Sequence, residues 1–183
     1  FLDKKFENLK INFNRKPIVI WSVQRERGLN KTIKTWIEKV YSENNKAELH
    51  IFAVKKFANK NIFKKNNIFF QGRVDKKILI KYYSKASCMV CLGYDETFCL
   101  NAIESFACGT PVISFKKTAL NDLIINNLNG FKVDNFTQIA KKINKLINLN
   151  KTERKKIIKS TNKFSNKYYF KNIENKWINL LKS

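Results

Sequence analysis

Short apolar runs alternate with segments of helical periodicity through most of this 183-residue chain. The apolar runs predict strands at 17–23, 47–53, 67–72, 87–93, 111–115 and 130–133. The segments between them predict helices at 28–43, 76–86, 100–109 and 118–127. Helical periodicity then continues over 135–182. Because strands that alternate with helices form right-handed crossovers, the chain is predicted to fold as a doubly wound parallel α/β sheet with C-terminal helices.

The composition indicates one globular domain that spans residues 1–183. Hydrophobic residues make up 44% and aromatic residues 13% of the chain, which excludes a disordered protein. No apolar run is long enough to cross a membrane, and the start, FLDKKFENLK, carries charges where a signal peptide is apolar. We therefore expect a cytoplasmic protein, with association at the inner face of a membrane left open. Since the sequence does not begin with Met, we also expect a fragment of a longer chain.

The formal net charge of +23 has two explanations. It favours an anionic partner, such as a nucleic acid, a lipid surface or a phosphorylated substrate. Alternatively, an AT-rich coding sequence produces many Lys, Asn and Ile residues, and here the lysines are spread along the whole chain. The sequence shows no basic stripe with interleaved aromatics and no reading helix, so no nucleic acid is expected as a partner.

The four cysteines are Cys88, Cys91, Cys99 and Cys108. The first two form a CxxC pair, but this pair lies in an apolar strand-like run without a second pair, and His50 is distant. We interpret them as buried, reduced thiols of a reducing compartment, and His50 as a structural residue. No metal and no cofactor is expected.

The stretch DETFCLNAIESFACGTPVIS at 95–114 contains the candidate chemistry. A predicted helix begins near Cys99, at the edge of the sheet where ligands of doubly wound domains bind. The first amides of this helix, those of Cys99, Leu100 and Asn101, have no intrahelical acceptor and are suited to a phosphate. Glu104 lies one turn further, where its carboxylate can accept hydrogen bonds from ribose hydroxyls.

Three charged residues in two loops complete this candidate site. Glu96 precedes the helix and can reach the sugar of a nucleotide diphosphate sugar. The loop VQRERGLN after the first strand places Arg25 and Arg27 at the same edge, where Arg27 can clamp a pyrophosphate.

These motifs resemble a known family. ETFCLNAIE matches the Ex7E signature of retaining GT-B glycosyltransferases of the family-4-like group, and ESFACGTPVISF is similar to the continuation EAxACGxPVI of that family. Similarity extends over NIFFQGRVDKKILIKYYSKASCMVCLGYDETF, RGL and ALNDLIINNLNGFKV, and thus covers roughly residues 17–182. The resemblance is to the C-terminal, Rossmann-like half of a two-domain enzyme.

The resemblance implies a donor-binding domain for a nucleoside-diphosphate sugar, with retaining transfer of a hexose-type sugar to a glycan or lipid-linked acceptor. It assigns Glu96 and Arg27 as catalytic residues and implies no metal. The implied donor-binding residues are Arg25, Arg27, Arg73, Val74, Glu96, Phe98, Cys99, Leu100, Asn101 and Glu104. The acceptor domain is expected to precede Phe1, and the chain alone is expected to be inactive.

The sequence departs from the family pattern at several positions. Arg27 replaces a usual Lys, Cys99 stands where Gly is usual, and Asp122 replaces a usual Glu. Two other function classes stay open: a basic nucleic-acid-binding module, and a sugar-nucleotide epimerase of the same architecture.

Overall fold

The computed structural model describes residues 2–22, 28–52, 60–92 and 99–181. Six parallel strands form one sheet in the order β3-β2-β1-β4-β5-β6. The strands are β1 (Ile18–Ser22), β2 (Glu48–Phe52), β3 (Ile68–Phe70), β4 (Cys88–Val90), β5 (Val112–Phe115) and β6 (Gly130–Val133). The order reverses between β1 and β4, so the doubly wound α/β fold predicted from the sequence is confirmed.

Helices connect and cover these strands. They are α1 (Leu29–Thr35), α2 (Lys60–Lys65), α3 (Lys76–Tyr83), α4 (Leu100–Ala107), α5 (Phe136–Ile147), α6 (Lys151–Ser165) and α7 (Phe170–Leu181). A π-helical segment, Trp36–Tyr41, continues α1. Helix α5 packs against α1, whereas α4 packs against α3 and α6. Strands β1, β4 and β5 are almost entirely apolar and buried because helices cover the sheet on both faces.

The structure differs from the sequence prediction at two helices. Helix α2 was not predicted. The helix predicted at 118–127 is reduced to a 3-10 turn, Ala119–Asn121. Here the buried side chain of Asn129 accepts a hydrogen bond from the amide of Ile125 at 2.7 Å and donates one to the carbonyl of Leu123 at 2.9 Å. A side chain that bonds the backbone in this way competes with helical hydrogen bonds.

The predicted end of α4 at Gly109 is confirmed. Gly109 adopts a φ of 74°, and a Cβ at this position would lie 2.8 Å from Cγ2 of Ile158. Both the left-handed backbone and the close approach of α6 therefore require glycine.

Arg15 is a buried cation that the sequence did not single out. Its guanidinium donates hydrogen bonds to the carbonyls of Tyr83 and Cys108, each at 2.7 Å, and to Oγ1 of Thr110 at 2.9 Å. These contacts tie the segment that leads into β1 to the ends of α3 and α4.

The aromatic and histidine side chains have different environments. Trp36 is buried, whereas Trp177 on α7 is 61% exposed and does not belong to the core of this chain. His50 is buried between Glu48 and Gln71, with contacts of 2.8 and 3.0 Å, in agreement with a structural role. Among the described residues, no helix is long and apolar enough to cross a membrane.

Candidate functional site

The candidate site lies at the carboxyl edge of the sheet, where β1 and β4 are neighbours and the strand order reverses. Ser22 ends β1, and Cys91 and Leu92 follow β4. Helix α4 begins a few residues later, at Leu100. Ligands of doubly wound domains bind at this switch point because the crossovers on its two sides lead to opposite faces of the sheet.

The N-cap residue of α4 provides no side-chain cap. Cys99 occupies the N-cap position with an extended backbone and makes no capping hydrogen bond. Ala102 donates to the carbonyl of Cys99 at 3.1 Å, so the amides of Leu100 and Asn101 lie ahead of the first intrahelical bond. Leu100 is 45% exposed. Anion binding by these two amides stays a prediction.

The Asn101 side chain points toward the sheet. Its amide nitrogen donates to the carbonyl and to the hydroxyl oxygen of Ser22, each at 3.3 Å. This contact fixes the first turn of α4 against the end of β1. The sequence prediction placed Asn101 among the donor-binding residues, and its side chain instead connects two elements of the fold; a role for its backbone amide stays a prediction.

Glu104 is an ionisable residue in the interior of the domain. Its side chain is 6% exposed, and Lys76 Nζ lies 2.5 Å from Oε1 of its carboxylate. Lys76 is the first residue of α3, and Asp75 caps this helix by accepting a hydrogen bond from the amide of Ile78 at 3.0 Å. The packing of α3 against α4 brings the two charges together across 28 positions of sequence.

Lys76 is a site residue that the sequence analysis missed. Cations are unfavourable in the first turn of a helix, because the positive end of the helix dipole lies there. A lysine at the start of α3, directly after the capping Asp75, therefore gives little indication in the sequence that it belongs to the site. Its carboxylate partner is visible only in the tertiary structure.

Arg73 and Val74 lie between β3 and α3, at the same edge of the sheet. Arg73 is exposed, whereas Val74 is partly buried against the core. Both precede Lys76 closely, which places them near the Glu104 end of the site. Their role as donor-binding residues stays a prediction.

Four predicted site residues, Arg25, Arg27, Glu96 and Phe98, lie outside the described residues. The two catalytic assignments are among them. The structure therefore brings together the α4 start, Glu104 and Lys76, and the roles of the loop residues rest on the sequence.

The four cysteines are buried thiols, and none forms a disulfide. Burial raises the pKa of Cys88 well above its ordinary value and raises the pKa of Cys108 to about 12. Cys91 and Cys99, on the two sides of the loop before α4, have their sulfur atoms 3.3 Å apart. Within the described ranges, no group of three or more His, Cys, Asp or Glu side chains is arranged to hold a metal ion.

A helix that begins at the switch point, with a buried carboxylate one turn further, is typical of doubly wound domains that bind ligands at the carboxyl edge of their sheet. Within that class, the chain belongs to the family described as glycosyl transferases group 1, whose model matches residues 3–164. The glycosyltransferase family predicted from the sequence is thus confirmed, whereas the retaining mechanism and the Ex7E assignment stay predictions.

Individual relatives agree with this membership. The chain is 28% identical over 76 residues to a D-inositol 3-phosphate glycosyltransferase of Xylanimonas cellulosilytica, an alignment that covers 42% of this chain and 18% of the relative. The crystal structure of TarM matches with a TM-score of 0.77 and 25% identity, over 100% of this chain and 38% of TarM.

A further structure, the pneumococcal O-GlcNAc transferase GtfA in complex with UDP and GlcNAc, matches with a TM-score of 0.75 and 16% identity. That match covers 94% of this chain and 37% of GtfA, and it concerns the fold alone. The chain thus spans less than two fifths of either structure, TarM at 38% or GtfA at 37%. The GT-B type of fold predicted from the sequence agrees with these neighbours.

Proposed function

We propose that this chain is the donor-binding domain of a glycosyltransferase, with a nucleoside diphosphate bound at the carboxyl edge between β1 and β4. The observation that carries the proposal is the Glu104 carboxylate, which lies at this edge, one turn into α4, and is 6% exposed. Burying an ionised carboxylate costs free energy, so charged groups in such positions are enriched at functional sites.

Each part of the nucleotide has a partner in this proposal. The amides of Leu100 and Asn101, with the positive end of the α4 dipole, bind a phosphate. Glu104 accepts hydrogen bonds from the two ribose hydroxyls. Arg73 and Val74 line the base, since they precede Lys76 at the Glu104 end of the site.

The reaction rests on residues assigned by resemblance. Arg27 and Arg25 neutralise the pyrophosphate and stabilise the leaving phosphate, while Glu96 holds the sugar. A hexose-type sugar then passes to a glycan or lipid-linked acceptor with retention of configuration. No metal takes part in this scheme, because the arginines and the helix amides supply the positive charge.

The acceptor is held by a second domain in this proposal. Large apolar side chains of α7 are exposed, with Trp177 at 61%, Leu180 at 65% and Leu181 at 82% exposure. This supports a helix that packs on another part of the enzyme. The chain alone is therefore expected to bind the nucleotide and to transfer no sugar.

Isothermal titration calorimetry with UDP and with GDP, in the presence of EDTA, measures nucleotide affinity and so tests the donor site. UDP is the first probe because GtfA, which shares the fold, is described in complex with UDP. We expect one of the two nucleotides to bind without metal. Glu104→Gln should weaken this binding by about 1.5–3 kcal/mol, the range for a hydrogen bond to a charged group.

Glu38→Gln is the matched control, because Glu38 is an exposed carboxylate outside the candidate site, and among the described residues its ion pair is with Lys34, at 3.9 Å. Equal effects of the two substitutions would contradict the assignment of Glu104. Binding that is lost in EDTA and restored by magnesium or manganese would contradict the metal-free scheme. The epimerase and nucleic-acid alternatives are not favoured by any contact described above.

A further inference from the structure

Lys76 is the only cation of the described residues that contacts the Glu104 carboxylate. The distance from Nζ to Oε1 is 2.5 Å, and the lysine side chain is 40% exposed while that of Glu104 is 6% exposed. The charge of Glu104 is therefore balanced by a group that reaches it from the solvent side, at the start of α3.

This pairing fixes the position of the Glu104 carboxylate before a ligand arrives. Removing one partner of a buried ion pair leaves an uncompensated charge, which favours rotation of the side chain toward water. Two ribose hydroxyls can both donate hydrogen bonds to the carboxylate only when its oxygen atoms face them.

The geometry leaves room for the ligand. The ammonium group of Lys76 contacts Oε1, whereas Oε2 of Glu104 takes no hydrogen bond from the described residues. A carboxylate oxygen has about two lone-pair positions, so one bound ammonium does not exhaust the acceptor capacity of the group. Lys76 and a ribose can therefore share the carboxylate.

Lys76 is itself held by the beginning of the chain. Oδ2 of Asp3 lies 3.9 Å from Nζ, and the Phe6 ring centroid lies 5.8 Å from the same atom. The ammonium thus lies between Asp3, Phe6 and Glu104. The helix dipole disfavours a cation at the start of α3, and these contacts offset that preference.

We propose that Lys76 is a positioning residue, which holds the buried Glu104 carboxylate in the orientation that receives the ribose of the bound nucleotide. This inference rests on the proposed function, because it assumes that Glu104 binds the ribose. It adds a residue from outside the α4 segment to the donor site.

The test compares UDP with 2′,3′-dideoxy-UDP, and GDP with its dideoxy analogue, by titration of the chain and its variants. The ratio of the two dissociation constants reports the contribution of the ribose hydroxyls alone. For wild type we expect a ratio of about tenfold or more, since hydrogen bonds to a charged group are of that strength. Lys76→Met should reduce this ratio at least about threefold and leave the affinity for the dideoxy nucleotide within about twofold, because the phosphate contacts are unchanged.

Lys77→Met is the matched control, because Lys77 is the exposed neighbour of Lys76 on the same helix. Lys76→Gln, which keeps a hydrogen-bond donor without the charge, is a second variant that should behave like Lys76→Met. In the double variant with Glu104→Gln, replacing Lys76 should cause no further loss of the ratio, because Lys76 acts through Glu104. An effect on folding alone would not give this result.

The outcomes separate the two proposals. If wild type does not distinguish ribose from dideoxyribose, the ribose role of Glu104 and the role of Lys76 both fail. If Glu104→Gln loses the distinction and Lys76→Met keeps it, only the inference about Lys76 is overturned. An equal loss of affinity for UDP and for its dideoxy analogue in Lys76→Met also overturns this inference, since Lys76 would then be structural. Tighter UDP binding in Lys76→Met overturns it as well, since Lys76 would then compete with the ribose.

Discussion

Replacing Arg15 by Met removes a buried cation and leaves its acceptors in place. The guanidinium makes two short hydrogen bonds, to the carbonyls of Tyr83 and Cys108 at 2.7 Å, and a third to Oγ1 of Thr110 at 2.9 Å. Met has a similar length and fills most of the vacated space, so the change tests the polar contacts more than the packing.

The expected loss of stability follows from these contacts. Two hydrogen bonds from a charged donor contribute about 3–6 kcal/mol together, at about 1.5–3 kcal/mol each. Burial of the guanidinium opposes them: it lowers the pKa of Arg15 to about 10, so the cation is retained at neutral pH at a cost in desolvation. The Cys108 carbonyl is left without this donor in the variant. We expect a net loss of about 2–4 kcal/mol in the free energy of unfolding.

Urea unfolding at pH 7, followed by circular dichroism, measures this difference. Lys16→Met is the control, since Lys16 is the adjacent cation and its side chain is exposed. The control should change the free energy of unfolding by no more than about 0.5 kcal/mol. If Arg15→Met is as stable as Lys16→Met, the hydrogen bonds of Arg15 only balance its desolvation, and the reasoning is wrong.

Three further predictions follow from the site, the thiols and the surface. Glu96→Gln should leave UDP or GDP binding unchanged and weaken binding of the nucleotide sugar, because its assigned partner is the sugar; a titration that shows equal losses for both ligands would refute this. The thiols, including Cys108 with its pKa raised to about 12 by burial, should react with a thiol reagent at pH 8 only after unfolding in urea. Rapid labelling of the folded chain would contradict that expectation. The hydrogen bond from Lys116 lowers the pKa of Asp134 below its ordinary value of 3.8, so its stabilising contribution is present above pH 3.8 and is lost as the pH falls through the folded pKa. Asp134→Asn, compared with Asp122→Asn, should therefore flatten the decrease of the urea midpoint below about pH 4, and identical acid profiles of the two variants would refute this.

The order of the elements could be predicted from the sequence because each buried strand is a short apolar run with a clear end. The strand predicted at 130–133 coincides with β6, and the glycine stop of α4 lies where it was expected. Helix α2 was missed because its six residues, KNIFKK, are too few to show a helical repeat. The helix predicted at 118–127 failed because Asn129, outside that segment, bonds its backbone.

The sequence by itself determined the fold class, the family and the position of Glu104 one turn into α4. These depend on local patterns: apolar periodicity, a helix start after a strand, and the spacing of a motif. Only the tertiary structure decided that Glu104 is paired with Lys76, that Asn101 donates a hydrogen bond to the end of β1, and that Arg15 donates one to the end of α4. The partners in these contacts are 28, 79 and 93 positions apart in the chain, so the packing of the elements, and not any local pattern, determines which charges and polar groups meet.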